Sequence, residues 1–513
     1  MPHETSRPSP LAEEILDKVE DRIRQALDEF HLTAFHIRPT CLWQRGFPEK
    51  AKDTIVISTY DTDNTAWKEV AQLVFDIVEE RAGPAGLQFR VEIRNPQRMY
   101  CDQSEIVRSG TPALRTFLRI EPYVEAQVQK SCPTHWTSIA YHNRHPKNQE
   151  ADVTATVIIF VKPGSIHFWS LVEEEVRTEI ASVSLIDDIT VNVEILPGFI
   201  TPTIDEGTKP RFLDLTSLPE SPRNGASISP RLDGRSAGTL GPVVFYQANG
   251  ETRKTKCFLT CYHVIESGDP QGRMTNKSEG IGLDGKEITQ HIIINYPAMY
   301  DARHTWKILT AELAAGRDPN SINSTTLQRL DRLAGADGGI GSVKYASGHR
   351  INENDRRPDW ALVALNSPGP GDTMENKPAP KTAIDPDFLE GLHHRYNATS
   401  DDVITSIAKT FKRDVVVKIG RSSGTTIGEI SEMRRKMQWG GGVMSHEIEA
   451  KSIASGKEFA RPGDSGSMVY NLGLEWVGMV FAADTFAELG FLTPAHDIMD
   501  DIQAKTGGTI SLV

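Results

Sequence analysis

The feature that most limits how this chain of 513 residues can fold is an internal repeat within residues 1–200. The segment TIVIS begins at Thr54 and the segment TVIIF begins at Thr156, which is 102 positions later. The same offset holds without a gap from 54–95 to 156–197. Each copy begins with a short apolar run, continues with apolar residues at helical spacing, and ends in an alternating run. This order predicts a strand–helix–strand unit that is present twice.

The two copies match at the positions that should face a core. The matched pairs on the helix are Trp67 and Trp169, Val70 and Val172, Val74 and Val176, and Val78 and Ile180, and those on the closing strand are Leu87, Phe89, Val91 and Ile93 with Ile189, Val191, Val193 and Ile195. A helical connection of this length can join parallel strands. We therefore predict that residues 1–200 form a duplicated α/β accessory domain with repeats at 54–95 and 156–197.

This half of the sequence carries little that indicates chemistry. It has no glycine-rich phosphate loop and no cluster of catalytic-type residues, and we interpret His142 and His145, in AYHNRHPKN, as part of a solvated loop. We expect the accessory domain to bind, position or regulate. The partners we expect for it are a regulatory protein or the second half of the chain itself.

Charge and hydropathy exclude several classes of partner. The formal net charge is −13, which argues against a general electrostatic grip on nucleic acid or on anionic membranes. No stretch approaches the roughly 18 apolar residues of a membrane helix, and the start of the chain lacks the apolar core of a secretory signal. Five cysteines are few and odd in number, which favours a reducing compartment. We predict an intracellular, cytoplasmic protein, with the nucleus left open, that is not secreted and binds neither nucleic acid nor membrane.

The character of the sequence changes after the repeats. Residues 201–223 are rich in Pro, Ser, Thr and charge without periodicity, which is typical of a linker. From 224 to 513 the chain has short apolar strands and glycine-rich turns, among them GTLGPVVFY, TKCFLTCYHVI, IGSVKYASG, DWALVAL and LEWVGMVFA. Many short strands with turn signals predict a barrel or sandwich. A helical insertion interrupts them at about 299–335, and TPAHDIMDDIQAKTG predicts a closing amphipathic helix.

The segment ARPGDSGSMVY raises the main question about chemistry. A serine nucleophile needs an exposed tight turn and backbone N–H groups near the oxygen that will carry charge, and the glycines beside Ser465 permit both. Gly463-Asp464-Ser465-Gly466 is equally compatible with a polar turn that only links two strands. The turn alone does not decide between these interpretations.

A serine also needs a base and a group that orients the base. His263 follows an apolar strand in CFLTCYHVI, and Asp359 directly precedes one in RPDWALVAL. Taken singly, each could be an ordinary residue at the end or start of a strand. Together with Ser465 they form the order His, Asp, Ser in one β-rich region, which favours a catalytic triad. Cys257 and Cys261 are four positions apart without a second Cys or His pair, so we predict no metal and no cofactor.

These segments resemble the chymotrypsin/trypsin-like serine peptidase family, in particular its non-secreted, disulfide-free members. FLTCYHVI is similar to the histidine motif, DWALVAL to the aspartate motif, and RPGDSGSMVY to the nucleophile motif. VVVKIGRSSGTTIGEI resembles the Lys-x-Gly-x-x-x-Gly-x-x-x-Gly strand pair that often opens the second barrel. The resemblance covers 224–513 and implies an all-β double barrel, here with the helical insertion. It does not cover the accessory domain.

The resemblance also implies roles for individual residues. Ser465 would be the nucleophile, His263 the base, and Asp359 the residue that fixes the imidazole. The backbone N–H groups of Gly463 and Ser465 would form the oxyanion hole. The implied pocket for the substrate side chain has Phe459 at its floor and Ala482, Ala483 and Gly490 at its walls, and the lack of an acid at the floor favours an apolar side chain over Arg or Lys.

A departure from the family pattern bears on activity. No Ile-Val-Gly-Gly activation sequence precedes the barrel, so the sequence shows no partner for Asp464, the residue that a freed N-terminus holds in secreted members. We predict an intracellular serine endopeptidase that cuts protein or peptide substrates through an acyl-enzyme. The alternative is a catalytically restrained or inactive peptidase-fold binding or scaffold protein that is regulated by its N-terminal domain.

Overall fold

The structure is a computed structural model. It describes residues 3–44, 47–95, 102–146, 153–185, 188–198, 201–202, 209–213, 218–231, 237–286, 291–315, 324–334, 339–390, 392, 395–410, 415–439, 442–454, 456–484 and 487–513. These residues form helices and three β-sheets that divide the chain into several structural parts.

The first part is an α/β unit. Its elements are β1 (His3–Ser6), α1 (Pro10–Glu29), β2 (Ala34–Gln44), β3 (Lys52–Thr59), α2 (Trp67–Ala82) and β4 (Phe89–Arg94). The strands lie in the order β1-β2-β3-β4, and the α2 connection makes β3 and β4 parallel. Ser9 caps α1 by accepting from the N–H of Ala12, and Pro10 opens the helix. The apolar faces of both helices pack on β2 and β3 in one core.

The second part repeats this order of elements. It contains β5 (Asp102–Glu105), α3 (Pro112–Ser131), β6 (Trp136–Pro146), β7 (Thr154–Val161), α4 (Trp169–Val183) and β8 (Val191–Pro197). From α3 to β8, each element begins 102 positions after its counterpart in the first unit. The strands β7 and β8 are again parallel. Two strand–helix–strand units therefore occur where the repeats lie, and their origin by duplication stays a prediction.

The interpretation of His142 and His145 as loop residues is wrong. Both lie in β6, with 1 % and 4 % of their surface exposed. His142 Nε2 lies 3.0 Å from Glu449 Oε2, and Glu449 is itself buried. Because this partner comes from the other half of the chain, no neighbouring residue in the sequence indicated that the histidine would be buried.

The remaining elements alternate short strands with a few helices. They are β9 (Thr201–Pro202), β10 (Ser227–Pro230), β11 (Gly238–Thr239), β12 (Val243–Gln247), β13 (Thr255–Thr260), α5 (Tyr262–Ile265), α6 (Arg273–Glu279), β14 (Ile293–Asn295), α7 (Met299–Ala314), α8 (Ser324–Ala334), β15 (Gly339–Ala346), β16 (Ala361–Leu365), α9 (Pro386–Glu390), β17 (Ser406–Ile407), β18 (Val415–Gly420), β19 (Gly424–Gln438), β20 (Met444–Ser452), β21 (Met468–Asn471), β22 (Glu475–Asp484), β23 (Leu489–Pro494), α10 (Ala495–Thr506) and β24 (Thr509–Leu512). The helices α7 and α8 lie where the sequence predicts a helical insertion.

These strands form two sheets that share a core. One sheet has eight strands in the order β11-β10-β14-β15-β16-β13-β12-β24. In the other, β18, β21, β22, β23, β20 and β19 follow one another, and pairing of β19 with β18 closes them into a ring. Apolar residues of both sheets meet in one cluster, for example Leu259 and Trp476. The prediction that the C-terminal half of the chain is rich in β-strands agrees with this arrangement. The chymotrypsin-type double barrel stays a prediction.

The second α/β unit is joined to the ring. Ser138 and Ile139 of β6 pair with Met437 and Lys436 of β19, so the sheet of β5 to β8 continues the sheet of the ring. The two-residue strand β9 pairs with β22 on the opposite part of the ring. The sheet of the second α/β unit and the strand β9 are therefore structurally continuous with the C-terminal half.

Two further observations concern the chain as a whole. No helix among the described residues has both the length and the apolar character that crossing a membrane requires. The described cysteines, Cys41, Cys132, Cys257 and Cys261, are free thiols. Burial raises the pKa of Cys257 to about 12, as expected for a thiol that serves packing rather than chemistry.

Candidate active site

His263 and Asp359 come together because the strands that carry them are neighbours. β13 pairs antiparallel with β16, and this places Thr260 opposite Ala361. His263 lies just after β13, in α5, and Asp359 lies just before β16. The Nδ1 atom of His263 is 2.6 Å from Oδ2 of Asp359, and the backbone N–H of the histidine donates to Oδ1 at 3.2 Å. Two hydrogen bonds thus fix one carboxylate against both the ring and the backbone of the histidine.

The protonation state of this pair follows from its surroundings. Burial alone would raise the pKa of Asp359, but His263, Arg357 and His349 hold that pKa well below its usual range. Arg357 Nη2 lies 3.7 Å from Oδ2 of the carboxylate. An ionised carboxylate only accepts hydrogen bonds, so the proton of a neutral His263 ring must be on Nδ1. Its Nε2 atom is then free to accept a proton.

The turn around Ser465 depends on two glycines in left-handed conformations. Gly463 has φ 98° and Gly466 has φ 97°, which a residue with a side chain rarely adopts. A Cβ atom at Gly466 would lie 2.2 Å from the carbonyl oxygen of Thr239. Thr239, on β11, donates from Oγ1 to the carbonyl of Gly463 and from its N–H to that of Ser465, both at 2.8 Å. A strand of the eight-stranded sheet therefore holds the turn from outside the ring.

Ser465 lies beside the strand end that carries the histidine but is not bonded to it. The N–H of Gly466 and the Sγ–H of Cys261 both donate to the carbonyl of Val480, which links the turn to the end of β13. The Oγ atom of Ser465 donates to the carbonyl of Phe481 at 3.2 Å. Nε2 of His263 is buried and has no hydrogen-bond partner among the described residues. The structure thus joins His263 to Asp359 and leaves the His263–Ser465 hydrogen bond unformed.

The two predicted oxyanion donors are available. No hydrogen bond joins the backbone N–H of Gly463 or of Ser465 to another described residue. Both residues are buried, so a charge that develops near them would meet N–H groups screened from bulk water. The neighbouring peptide bonds are fixed, since the N–H of Asp464 donates to the carbonyl of Arg461.

Asp464 has a partner that the sequence did not identify. Nζ of Lys418, on β18, lies 3.1 Å from its Oδ2 atom, and both side chains are fully buried. Four further donors surround the carboxylate: the N–H groups of Ser422, Ser423 and Arg461, and the hydroxyl of Ser423. Burial alone would raise the pKa of Asp464, but Lys418 and these hydrogen bonds keep it below its usual value.

A signal for this ion pair was present in the sequence. Lys418 is the lysine of VVVKIG, where it occupies an interior position of an otherwise apolar strand. A lysine buried in such a strand needs an opposite charge close by. The sequence also held a signal for Arg357, because it stands two residues before Asp359 in RRPDW and carries the opposite charge.

The four predicted pocket residues lie together. The ring of Phe459 lies between Gly428 and Gly490, at which a Cβ atom would come within 2.6 Å and 2.7 Å of the ring. On β22 and β23, Ala483 pairs with Gly490 and Ala482 pairs with Phe491. All of these residues are buried. Phe459 and Ala483 belong to one buried apolar cluster.

Two groups of potential metal ligands lie close together among the described residues. They are Cys261, His263 and Asp359, and Glu121, Glu125 and His446. In the first group Asp359 accepts from His263, and in the second Glu125 accepts from Lys436 and from His446. In each group, hydrogen bonds from protein side chains already engage one carboxylate.

Comparisons with known proteins give low structural likenesses to serine proteases. No protein-family model matches the sequence, and no curated protein matches it either. Among solved structures, Protease A of Thermobifida fusca is 12% identical, with 57% of this chain and 98% of that chain covered and a TM-score of 0.28. Nocardiopsis protease NAPase is 11% identical over 56% of this chain and 98% of that one, with a TM-score of 0.29. Cellulomonas bogoriensis chymotrypsin is 13% identical over 57% and 97%, with a TM-score of 0.27. TM-scores this low establish no shared fold, so the function of this chain has to be argued from its own geometry.

Proposed function

We propose that this protein is a serine endopeptidase that hydrolyses peptide bonds with Ser465, His263 and Asp359. The observation that supports this most directly is the buried contact of 2.6 Å between His263 Nδ1 and Asp359 Oδ2, with Nε2 left free. A histidine held in this way has one defined tautomer and one basic atom. The glycine turn at Ser465 adds a hydroxyl and two unused N–H donors.

The proposed reaction begins when the Ser465 hydroxyl leaves the carbonyl of Phe481 and turns toward His263. Its Oγ atom attacks the carbonyl carbon of the scissile bond while its proton passes to Nε2 of His263. The ionised Asp359 stabilises the imidazolium that results. The carbonyl oxygen becomes an oxyanion, which accepts from the N–H groups of Gly463 and Ser465.

The tetrahedral intermediate then collapses with loss of the amine. The C–N bond breaks, Nε2 of His263 donates its proton to the leaving nitrogen, and an ester to Ser465 remains. A water molecule gives a proton to Nε2 and attacks the ester carbon. Collapse of this second intermediate returns the proton to Ser465 Oγ and releases the acid. We further propose that a small apolar side chain precedes the cleaved bond, since the ring of Phe459 lies against Gly490, the residue that pairs with Ala483.

The test is covalent labelling of the full-length protein with a fluorophosphonate, followed by hydrolysis of a peptide substrate. We expect labelling of the wild type and none of Ser465→Ala, with Asp359→Asn slower in hydrolysis by roughly 10⁴-fold. The matched control is Ser467→Ala, which removes another buried hydroxyl of the same turn, one that donates to the carbonyl of Asp464. Equal labelling of Ser465→Ala and wild type would show that the nucleophile is a different residue.

A second candidate, a restrained peptidase-fold protein, is favoured by one observation. Ser465 is fully buried, His263 is 2 % exposed, and the serine hydroxyl is engaged by Phe481. A substrate cannot reach Ser465 unless part of the surrounding structure moves. Labelling of Ser465 that appears only after a substitution in the residues around it would indicate restraint, whereas no labelling after any such substitution would indicate permanent inactivity.

A further inference from the structure

One edge of β22 is occupied by a segment from outside the ring. β21 pairs with β22 only from Trp476 to Met479. Beyond Met479 this partner ends, and β9 of the linker pairs antiparallel with the strand instead. The other edge of β22 is taken by β23 over the same stretch. The linker therefore completes a strand that would otherwise present an open edge.

This edge lies next to the proposed nucleophile. Phe481, whose carbonyl accepts from Ser465 Oγ, is followed directly by Ala482 and Ala483. A protein commonly binds an extended peptide by adding it as a strand to an open sheet edge. A peptide whose carbonyl carbon is to meet Ser465 can reach it by running along Ala483 and Ala482 toward Phe481. The edge that β9 covers is thus the one that an extended substrate would use.

The linker also runs in the direction that such a peptide would take. Thr201 is opposite Ala483, and Pro202 is opposite Ala482. From Thr201 to Pro202 the chain therefore advances toward Phe481 and Ser465. A segment that crossed the edge by chance could equally have run parallel or away from the nucleophile.

The chain is fixed on both sides of β9. Before it, the N–H of Gly198 donates to the carbonyl of Val161, and Thr137 Oγ1 donates to the carbonyl of Gly198. After it, the N–H of Arg211 donates to Asp301 of α7, and Arg211 Nη1 donates to the carbonyl of Arg421. Both anchors keep the segment near the edge, which gives it a high effective concentration there.

We propose that Thr201–Pro202 is an internal competitor that occupies the peptide-binding edge of β22 at Ala482–Ala483. The ligand class of this edge is an extended peptide segment, and its resident occupant is the linker of the same chain. The interpretation of the edge as substrate-binding rests on the proposed peptidase function. Displacement of β9 exposes the edge and admits a peptide, so the linker sets the affinity of the site.

The test measures peptide binding in a chain that cannot cut. Full-length Ser465→Ala protein is titrated against a fluorescein-labelled peptide with the sequence of residues 197–206, and anisotropy is recorded. A second protein carries Thr201→Gly and Pro202→Gly as well, because glycines raise the entropy cost of holding an extended strand. We expect the glycine variant to bind the peptide at least about tenfold more tightly. Equal affinities, or no binding by either protein, would overturn the proposal.

A matched control places the same flexibility elsewhere in the linker. Pro219→Gly with Glu220→Gly lies outside β9, and we expect it to bind the peptide as the unaltered linker does. An equal gain there would also overturn the proposal, because any loosened linker would then suffice. Fluorophosphonate labelling of the chains that retain Ser465 separates the two claims. A gain in peptide affinity without labelling refutes only the peptidase function, and labelling without the gain refutes only the competitor.

Discussion

The two α/β units share an order of elements but differ in how they relate to the rest of the chain. In the first unit, among the strands that the structure describes, β2 pairs with β1 and β3, and the ion pair between Arg22 and Glu80 lies at the surface. In the second unit β6 also pairs with β19, across to the ring. The same scaffold therefore serves once as a largely separate unit and once as an extension of another sheet.

The two units also differ in the polarity of one face of the sheet. Ala140, Ile158 and Phe160 form a buried apolar cluster in the second unit. The residues 102 positions earlier are Arg38, Val56 and Ser58, so two of three positions are polar. A face that carries arginine and serine gains little from burial, whereas the apolar face is stabilised by covering it. The polarity of this face therefore differs between the two units, although Val56 and Ser58 are buried in the first unit as well.

Buried charges lie at the docked face, which is the face of the second unit that carries Ala140, Ile158 and Phe160. Arg435, on β19, lies 2.7 Å from Glu449 and 3.0 Å from Asp484, and its guanidinium group stacks over Phe160. His142 approaches Glu449 from the second unit. Asp484 directly follows Ala482–Ala483, so this network of charges ends at the strand that carries the proposed substrate edge.

The largest expected effect comes from removing one unit or both. A chain that lacks residues 1–95 should keep the urea midpoint of the C-terminal half, with a change in unfolding free energy below about 1 kcal/mol. A chain that lacks residues 1–198 loses the pairing of β6 with β19 and leaves Arg435 and Glu449 without His142. It should lose about 3–5 kcal/mol or fail to fold. Urea unfolding, monitored by tryptophan fluorescence, measures the stability of both truncated chains. Equal midpoints for the two would contradict the distinction between a separate and a docked unit.

The sequence predicted the units better than their docking. The repeat at 102 positions and the His, Asp and Ser segments are local patterns, and the elements, as well as the contact of His263 with Asp359, follow from them. Pairing of Ser138 with Met437 depends on residues far apart in the chain, and neither strand indicates its partner. The same holds for β9, where two residues carry no periodicity at all.

The second largest expected effect is a loss of unfolding free energy when a buried charge of the docked face, Glu449, is removed. Burial alone would raise the pKa of Glu449, but Arg435 and His142 lower it below its usual value. A lowered pKa means that ionised Glu449 stabilises the fold above about pH 4.3, the ordinary value for Glu, and that this stability is lost as pH falls through the folded-state pKa. Glu449→Gln should therefore cost about 2–4 kcal/mol at pH 7 and progressively less in acid. Urea midpoints recorded from pH 7 down to about pH 3, which is below the ordinary pKa of Glu, measure this loss.

Glu447 is the matched control, because it lies two residues away on β20 and its pKa moves in the opposite direction. Burial raises the pKa of Glu447 to about 7, despite hydrogen bonds from Ser445 and the N–H of Arg357. Its ionised form therefore costs stability as pH rises from about 4.3 through 7. Glu447→Gln should stabilise the protein at pH 8 by on the order of 1–2 kcal/mol. Loss of stability at pH 8 in both variants would contradict the opposite signs.

The smallest expected effect compares one ion pair at the edge of the docked face with one on the separate unit. Glu125 of α3 accepts from Lys436 Nζ at 2.6 Å and from His446 at 3.0 Å, and all three side chains are partly buried. Glu80 accepts from Arg22 at 2.7 Å with both side chains about half exposed or more. Because solvent screens exposed pairs, Glu125→Gln should cost about 1 kcal/mol, and Glu80→Gln should cost clearly less. Raising the salt concentration from 0.1 M to 1 M should therefore weaken the exposed pair more, since the Debye length falls from about 10 Å to about 3 Å. Equal costs that respond equally to salt would place both units in the same electrostatic environment, and the contrast between a separate and a docked unit would then rest on strand pairing alone.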